Sequence, residues 1–306
     1  MSIMPRRRTP TYTPDSSDTL ETSQPATTGH QRVLQGAARK AFRAVRSSAV
    51  NRFLPEPSVG SKNLAARIAW LEQTLAALPA GSRILDAGAG ELQYKRFCDH
   101  LEYTSQDLGQ YDGQGDQVGL HTLTWDNSKL DINSDITRIP VKNQSFDSIM
   151  CTEVLEHVPR PIDALKEFAR IIRPGGLLII TTPVASLTHF APFYYYNGYS
   201  RYFFETTLGE LGFTDIKVEF NGNYFEAVAQ ELRRIDDVGK TYSPRAKRPN
   251  RSYSLAQRIL LRRLDELSHF DDGSSELTAH GLHVTARNKH PSTGELQPPE
   301  GSRGDG

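Results

Sequence analysis

Arg83-Ile84-Leu85-Asp86-Ala87-Gly88-Ala89-Gly90-Glu91 is the stretch whose reading decides the fold. Ile84 and Leu85 read as the end of a buried strand, and Asp86 stands where that strand stops. The small residues after it permit a sharp turn. From Glu91 the pattern becomes helical, with Leu92 and Phe97 on the packed face. A strand, a glycine turn and a helix form a nucleotide cradle, because the first N–H groups of a helix have no intrahelical partner. Gly88 and Gly90 would let a ligand approach the backbone where a Cβ would block it. Turn glycines also serve conformation alone, so the decision rests on what surrounds this turn.

Upstream, Leu64, Ile68, Leu71, Leu75 and Leu78 recur at helical spacing and end at Pro79-Ala80-Gly81. Downstream, Leu101 to Asp107 reads as a second strand ending in a carboxylate, 17 residues after Gly90. An acid at about that distance accepts hydrogen bonds from ribose hydroxyls in nucleotide-binding α/β units. A polar, glycine-rich loop runs from Leu108 to Ser128, followed by a short strand near Leu130–Ile132 and the turn Asn133-Ser134-Asp135-Ile136. Phe146 to Cys151 is apolar enough for a central strand, and Pro161 to Ile172 is helical until Arg173-Pro174-Gly175-Gly176 stops it. Leu177 to Thr182 is a buried strand and Phe213 to Phe220 another, the latter followed by a helix through Val228 and Leu232. Lys240 to Ser252 reads as a basic linker, Leu255 to Leu267 as helix and Gly281 to Ala286 as a last strand. Strands alternating with helices predict a doubly wound α/β fold, its mostly parallel sheet covered on both faces.

The 306 residues carry no net charge, with 37% apolar and 24% charged side chains. Overall charge therefore selects no polyanionic partner. Residues 1–29 have a disordered composition, and 30–55 read as a basic amphipathic helix. From Thr22 to Pro55 there is no acid, while Arg32, Arg39, Lys40, Arg43, Arg46 and Arg52 are present. Such a helix either packs on its own domain or makes peripheral contact with an anionic membrane through residues 31–53. Because this basic stretch lies outside the core, nucleic acid is not the expected substrate. The two cysteines, Cys98 and Cys151, fall in core-like segments. With no secretory apolar region at the start, they fit a cytoplasmic protein. The tail 291–306 again has a disordered composition.

With these pieces placed, the sequence resembles a class I S-adenosylmethionine-dependent methyltransferase. The carriers are Leu85-Asp86-Ala87-Gly88-Ala89-Gly90, Asp107, Asp135-Ile136, Phe146-Asp147, Glu153-Val154-Leu155-Glu156-His157-Val158 and Arg173-Pro174-Gly175-Gly176. The resemblance implies a Rossmann-like seven-stranded sheet over residues 56–290, with the cofactor half at 80–182 and the acceptor side at 183–290. It also implies roles. Asp86, Ala87, Gly88, Ala89 and Gly90 would hold the amino-acid part of S-adenosylmethionine, and Asp107 with Leu108 its ribose. Asp135 and Ile136 would hold the adenine, and Thr152 and Glu153 would close over the sulfonium side. Leu92 departs from the pattern, since many relatives have a third glycine there. Its presence, with Asp86, also argues against a nicotinamide fold.

Methyl transfer to oxygen or nitrogen needs alignment and, for a hydroxyl, a base. His189, His157 and Tyr199 are the candidates, His189 first because it follows the fifth strand. Of the twelve residues Phe193 to Phe204, eight are aromatic, which suits an acceptor pocket for a small molecule or glycan as well as an apolar lid. Glu153-x-x-Glu156-His157 also looks like the metal-binding part of small-RNA 2′-O-methyltransferases and some quinone-pathway O-methyltransferases. Those relatives add a histidine in the region matching Asn197 to Arg201, which is absent here, so the expected site contains no metal; the three ligands with His189 around a divalent ion, as in a metal-assisted RNA 2′-O-methyltransferase, are the alternative. A cofactor-binding module without catalysis is the alternative from another class.

Overall fold

A computed structural model describes residues 56–289, apart from 117, 118, 123, 247 and 248. The expectations for 1–55 and 290–306, including the basic helix at 31–53, lie outside the described residues. The chain runs α1 (Asn63–Ala76), β1 (Arg83–Ala87), β2 (Glu102–Asp107), β3 (Ile132–Asn133), β4 (Phe146–Thr152), α2 (Pro161–Ile171) and β5 (Ile172–Pro183). It continues through α3 (Arg201–Glu210), β6 (Phe213–Asn221), α4 (Tyr224–Tyr242), α5 (Arg251–His269) and β7 (Gly281–Asn288). The seven strands lie in the order β3-β2-β1-β4-β5-β7-β6. All neighbours are parallel except β7, which is antiparallel to both β5 and β6. The order reverses between β1 and β4, and ligands of such sheets bind in the crevice at the carboxyl ends of the strands there.

Alternation along β1 and β4 places a different core on each face. Leu85, Ala87, Ile149 and Cys151 join Phe168 and Leu165 of α2 on one side. Ile84 and Met150 meet Leu71 and Leu75 of α1 on the other. Both cysteines are buried and free. The α1 stripe is shorter than its spacing predicts. Leu71 and Leu75 are buried, but Leu64, about two turns before Leu71, is 52% exposed.

Three local readings need correction. The segment after Glu91 is a run of turns closed by a single 3-10 turn, Lys95–Phe97, with no α-helix. Leu92 takes φ 61°, the left-handed conformation that glycine adopts freely. Arg173-Pro174-Gly175-Gly176 ends α2 but does not separate it from the strand. Phe146 pairs with Ile172 and Ser148 with Leu177, so these four residues are looped out of the ladder, with Gly175 at φ 77°. The linker at 240–252 is reduced to 243–250, because helix occupies both flanks. Asn250 sets the start of α5 by accepting the Tyr253 N–H at 3.0 Å, as Asn223 does for Glu226 at the start of α4.

Phe168 is wholly buried under β4 and β5. Phe168→Ala is expected to lower unfolding free energy by about 3–5 kcal/mol, read by urea denaturation.

Candidate active site

The carboxyl ends of β1, β2 and β4 build the first half of the site. Gly88 and Gly90 stand at φ 81° and 50°. A Cβ on Gly88 would run into the Val154 side chain, and one on Gly90 would lie 2.6 Å from the Trp125 ring. The turn is held from β2: Gln106 O accepts the N–H groups of Gly88 and Ala89 at 2.8 and 2.9 Å. Asp107 completes the clamp. Its Oδ2 accepts the Gly90 N–H at 3.1 Å and its Oδ1 the Gly109 N–H at 2.8 Å. Carboxylate oxygens have about two acceptor positions each, so Asp107 keeps capacity toward the crevice. Leu108 beside it is exposed, whereas Ala87 and Ala89 are buried.

Asp86 is buried at the end of β1, where the Tyr103 hydroxyl donates to Oδ2 at 2.7 Å. Burial pushes its carboxyl up to about 7, with the Asp107 charge adding and the Tyr103 hydrogen bond opposing. Asp135 is exposed, and its Oδ1 accepts both the N–H and the hydroxyl of Thr137 at 2.8 Å, the turn-capping use of this residue type. Ile136 is buried beside it. At the end of β4, the buried Thr152 hydroxyl has no hydrogen-bond partner, and neither has Gln106 Oε1 at the end of β2. Glu153 takes φ 53°. It is fastened by the Thr181 hydroxyl at 2.9 Å and by Arg67 Nη1 of α1 at 2.6 Å.

The second half lies beyond β4 and β5. Glu156 is fully buried in the 3-10 turn Leu155–His157, and neither carboxylate oxygen has a hydrogen-bond partner. Burial, reinforced by Glu153, holds its carboxyl well above the ordinary range. His157 Nδ1 meets Phe193 O at 2.5 Å and His189 Nδ1 meets Leu187 O at 2.8 Å. Those carbonyls can only accept, so each Nδ1 carries the proton and each Nε2 presents a lone pair. Burial lowers both imidazoles, His157 to about 4, where the neighbouring His189 adds to the effect. The two rings are 4.6 Å apart, and one donor atom from each of Glu156, His157 and His189 falls within 4.8 Å of the others. Two neutral imidazoles and an unpartnered buried carboxylate form a donor set suited to a divalent cation.

Two loops meet over this point. The segment after β2 pairs with the segment after β5 through Leu120 N–H to Thr188 O at 3.1 Å and Phe190 N–H to Leu120 O at 3.0 Å. Phe190 stacks on His157 at 5.2 Å and on Tyr111 at 4.5 Å, and Trp125 meets Phe190 edge-on at 5.4 Å. The five tyrosines of the aromatic segment, Tyr194, Tyr195, Tyr196, Tyr199 and Tyr202, are dispersed. Only Tyr194 lies beside the histidines, 5.2 Å from His189. Tyr195, Tyr196 and Tyr202 face outward, and Tyr199 is 6% exposed with its hydroxyl donated to Leu155 O at 2.7 Å. That hydroxyl is shifted upward by burial and by Glu156. Tyr199 therefore packs in the core with its proton engaged by a backbone carbonyl.

Against known families, the chain matches a methyltransferase domain over residues 61–236, more than half its length. The chain belongs to the S-adenosylmethionine-dependent methyltransferases. The ubiquinone biosynthesis O-methyltransferase of Dechloromonas aromatica is 30% identical over 125 residues, which are 38% of this chain and 50% of that one. The protein of the same name from Vibrio cholerae is 29% identical over 105 residues, 33% of this chain and 42% of that one. The chain thus spans about half the length of the curated relatives it matches. Among solved structures, a SAM dependent methyltransferase from Archaeoglobus fulgidus shares 16% identity at a TM-score of 0.46, covering 74% of this chain and 95% of that one.

The methyltransferase also contains site residues that sequence patterning passed over. Arg67 was hidden in an ordinary amphipathic helix. Its signal was a basic residue one position before Ile68 in the apolar stripe. Trp125 and Tyr111 lay in a loop without periodicity, and only contact with Gly90 and Phe190 gives them a place.

Asp86 carries a pH consequence. Its folded pKa of about 7 exceeds the unfolded value, so the native state binds more protons between about pH 4 and 7 and loses stability as pH rises through that window. Asp86→Asn, which still accepts from Tyr103, is expected to be more stable than the wild type at about pH 8 by about 1–3 kcal/mol. The same variant should show a flatter stability profile from about pH 4 to 7. Urea unfolding across that range measures both.

Proposed function

We propose that the chain transfers the methyl group of S-adenosylmethionine to a hydroxyl on a planar, aromatic small molecule, aided by a divalent cation held by Glu156, His157 and His189. The observation that carries this reading is the convergence of those three side chains: donor atoms within 4.8 Å, both Glu156 oxygens without partners, and each histidine Nδ1 taken by a backbone carbonyl. The names of the relatives, which place O-methylation in ubiquinone biosynthesis, support the reading. So do the flat faces of Phe190 and His157 around the point of convergence. A glycan acceptor loses its main support, because the tyrosines that would stack on a sugar mostly point elsewhere.

In this reading the glycine-lined turn from Gly88 to Gly90 lets the methionine end of the donor lie against backbone, and Asp107 takes the ribose hydroxyls. Asp135 turns its second oxygen to the adenine amine, Ile136 packs beneath the ring, and Thr152 and Glu153 border the sulfonium. Bound at Glu156, His157 and His189, the cation would make a coordinated hydroxyl more acidic and orient its oxygen for in-line attack. The paired loops exclude water from the reacting atoms, and the hydroxyl proton leaves to solvent or to a buffer base at the mouth. The intended chemistry assigns His189 as a ligand in place of the base its position first suggests.

Titration calorimetry with Mn²⁺ or Zn²⁺ tests the cation. Binding near one ion per chain is expected, weakened at least about ten-fold in Glu156→Gln or His189→Ala, in the range of lost metal-site groups. With a catechol acceptor, chelation by EDTA should abolish turnover and added cation restore it. Turnover indifferent to EDTA and to Glu156→Gln overturns the cation and leaves His189 as a general base.

Asp107→Ala is expected to weaken S-adenosylhomocysteine by about 1.5–3 kcal/mol, the loss of a hydrogen bond to a charged group. Calorimetry beside thermal unfolding separates that loss from a mere loosening of the turn.

A further inference from the structure

Phe190, directly after His189, holds a backbone conformation that its surroundings must offset. Its φ is 55°, in the left-handed region that L side chains rarely adopt and glycine enters freely. A glycine would make the same turn without strain, so what retains a phenylalanine here is its ring. Such strain persists only where neighbours over-determine it, and it gathers at functional sites. The backbone is pinned on both sides. The Phe190 N–H donates to Leu120 O at 3.0 Å, and Phe190 O accepts the Phe193 N–H at 3.0 Å.

The ring touches both candidate histidines. It stacks on His157, with centroids 5.2 Å apart and planes inclined by 27°, and meets His189 edge-on at 5.2 Å and 61°. The two imidazoles stand at 84° to one another, so a ring parallel to one is necessarily inclined to the other. Tyr111 stacks on Phe190 at 4.5 Å and Trp125 meets it edge-on at 5.4 Å. These two are themselves fastened: Asn127 Nδ2 donates to Tyr111 O at 2.9 Å, and the Asp126 N–H donates to Glu91 Oε1 at 3.1 Å. Each imidazole is tied at Nδ1 to a carbonyl. A hydrogen bond tolerates tilting of the ring that makes it, whereas a flat face in close packing does not.

We propose that Phe190 is a positioning residue, whose ring holds His157 and His189 at the mutual angle that brings one donor atom of each beside Glu156. The inference rests on the reading of those three residues as the cluster that activates the acceptor.

The full chain is compared with three variants. Phe190→Leu keeps apolar volume without a flat face, Phe190→Tyr keeps the ring, and Phe190→Gly keeps the backbone conformation alone. Thermal unfolding and calorimetry with S-adenosylhomocysteine establish that each is folded with its donor half intact. The readouts are Mn²⁺ affinity, turnover of a catechol acceptor, and nitrogen NMR of isotope-labelled histidine rings at about pH 8, where both imidazoles are neutral. Phe190→Leu and Phe190→Gly are expected to lose about ten-fold or more in Mn²⁺ affinity and in kcat, the scale for groups that orient metal ligands. In both, His157 should show two tautomers in place of the single Nδ1-protonated form of the wild type. Phe190→Tyr should behave as the wild type. Unchanged histidine spectra and kcat in Phe190→Leu overturn the proposal, whether or not Mn²⁺ binds. So do losses that follow thermal stability and donor affinity, in Phe190→Tyr as much as in Phe190→Leu. A raised acceptor KM with kcat and spectra unchanged also overturns it, making Phe190 an acceptor contact. A wild type that ignores Mn²⁺ removes the cation, and kcat with the histidine spectra then decides the role of Phe190.

Discussion

The site depends on one clamp between neighbouring strands. Gln106 O and the Asp107 carboxylate, at the end of β2, take the N–H groups of Gly88, Ala89 and Gly90 that follow β1. Those donors would otherwise be unpaired at the rim of a buried sheet, a cost comparable to a lost hydrogen bond for each. Satisfying them from β2 locks the turn and seats the Cβ-free sides of Gly88 and Gly90 against Val154 and Trp125. The same carboxylate reaches Gly109 and so sets where the loop after β2 departs. Everything that covers the site, from Trp125 to the pairing of Leu120 with the residues around His189, is placed by that departure.

Burial has opposite consequences on the two sides of the sheet. On the α1 side Asp86 is enclosed with one hydrogen-bond donor, Tyr103, and answers by holding its proton up to about pH 7. It costs stability and contributes order to the end of β1. Beyond β4, Glu156 is enclosed with no hydrogen bond to either carboxyl oxygen, the nearest cationic candidate being His157 Nε2 at 3.8 Å. A buried carboxylate without a partner is expensive, and two imidazoles held neutral beside it make the cluster a place where a positive ion would relieve the penalty. The strain at Glu153, whose positive φ is tied down by Thr181 and Arg67, is stored next to the same cluster, as strain at functional sites commonly is.

The hairpin of α4 and α5 follows a different logic. Its inner face obeys ordinary packing, whereas Leu255, Ile259 and Leu260 break the rule that an exposed helix face is polar.

Much of this was legible in the residues themselves. Strand positions follow from apolar runs, and the glycine turn from small residues between a strand and Asp107, because backbone sterics and burial act locally. The family follows from the same spacing. What tertiary structure alone decided was direction and company. Sequence cannot show that Asp86 is enclosed with Tyr103 while Asp107 binds the turn, nor that Leu92 occupies a glycine conformation. The aromatic segment after β5 illustrates the limit most clearly. Its eight aromatic residues look alike as a string, yet Tyr199 is core, Tyr194 borders the histidines and Tyr202 faces water. Their fates depend on which neighbours the returning chain brings, and only the packed sheet supplies those. Glu156 and His157 are already paired in the sequence motif, with His189 its suggested companion; the fold brings them together because β4 and β5 are adjacent and parallel, so the loops leaving their carboxyl ends converge.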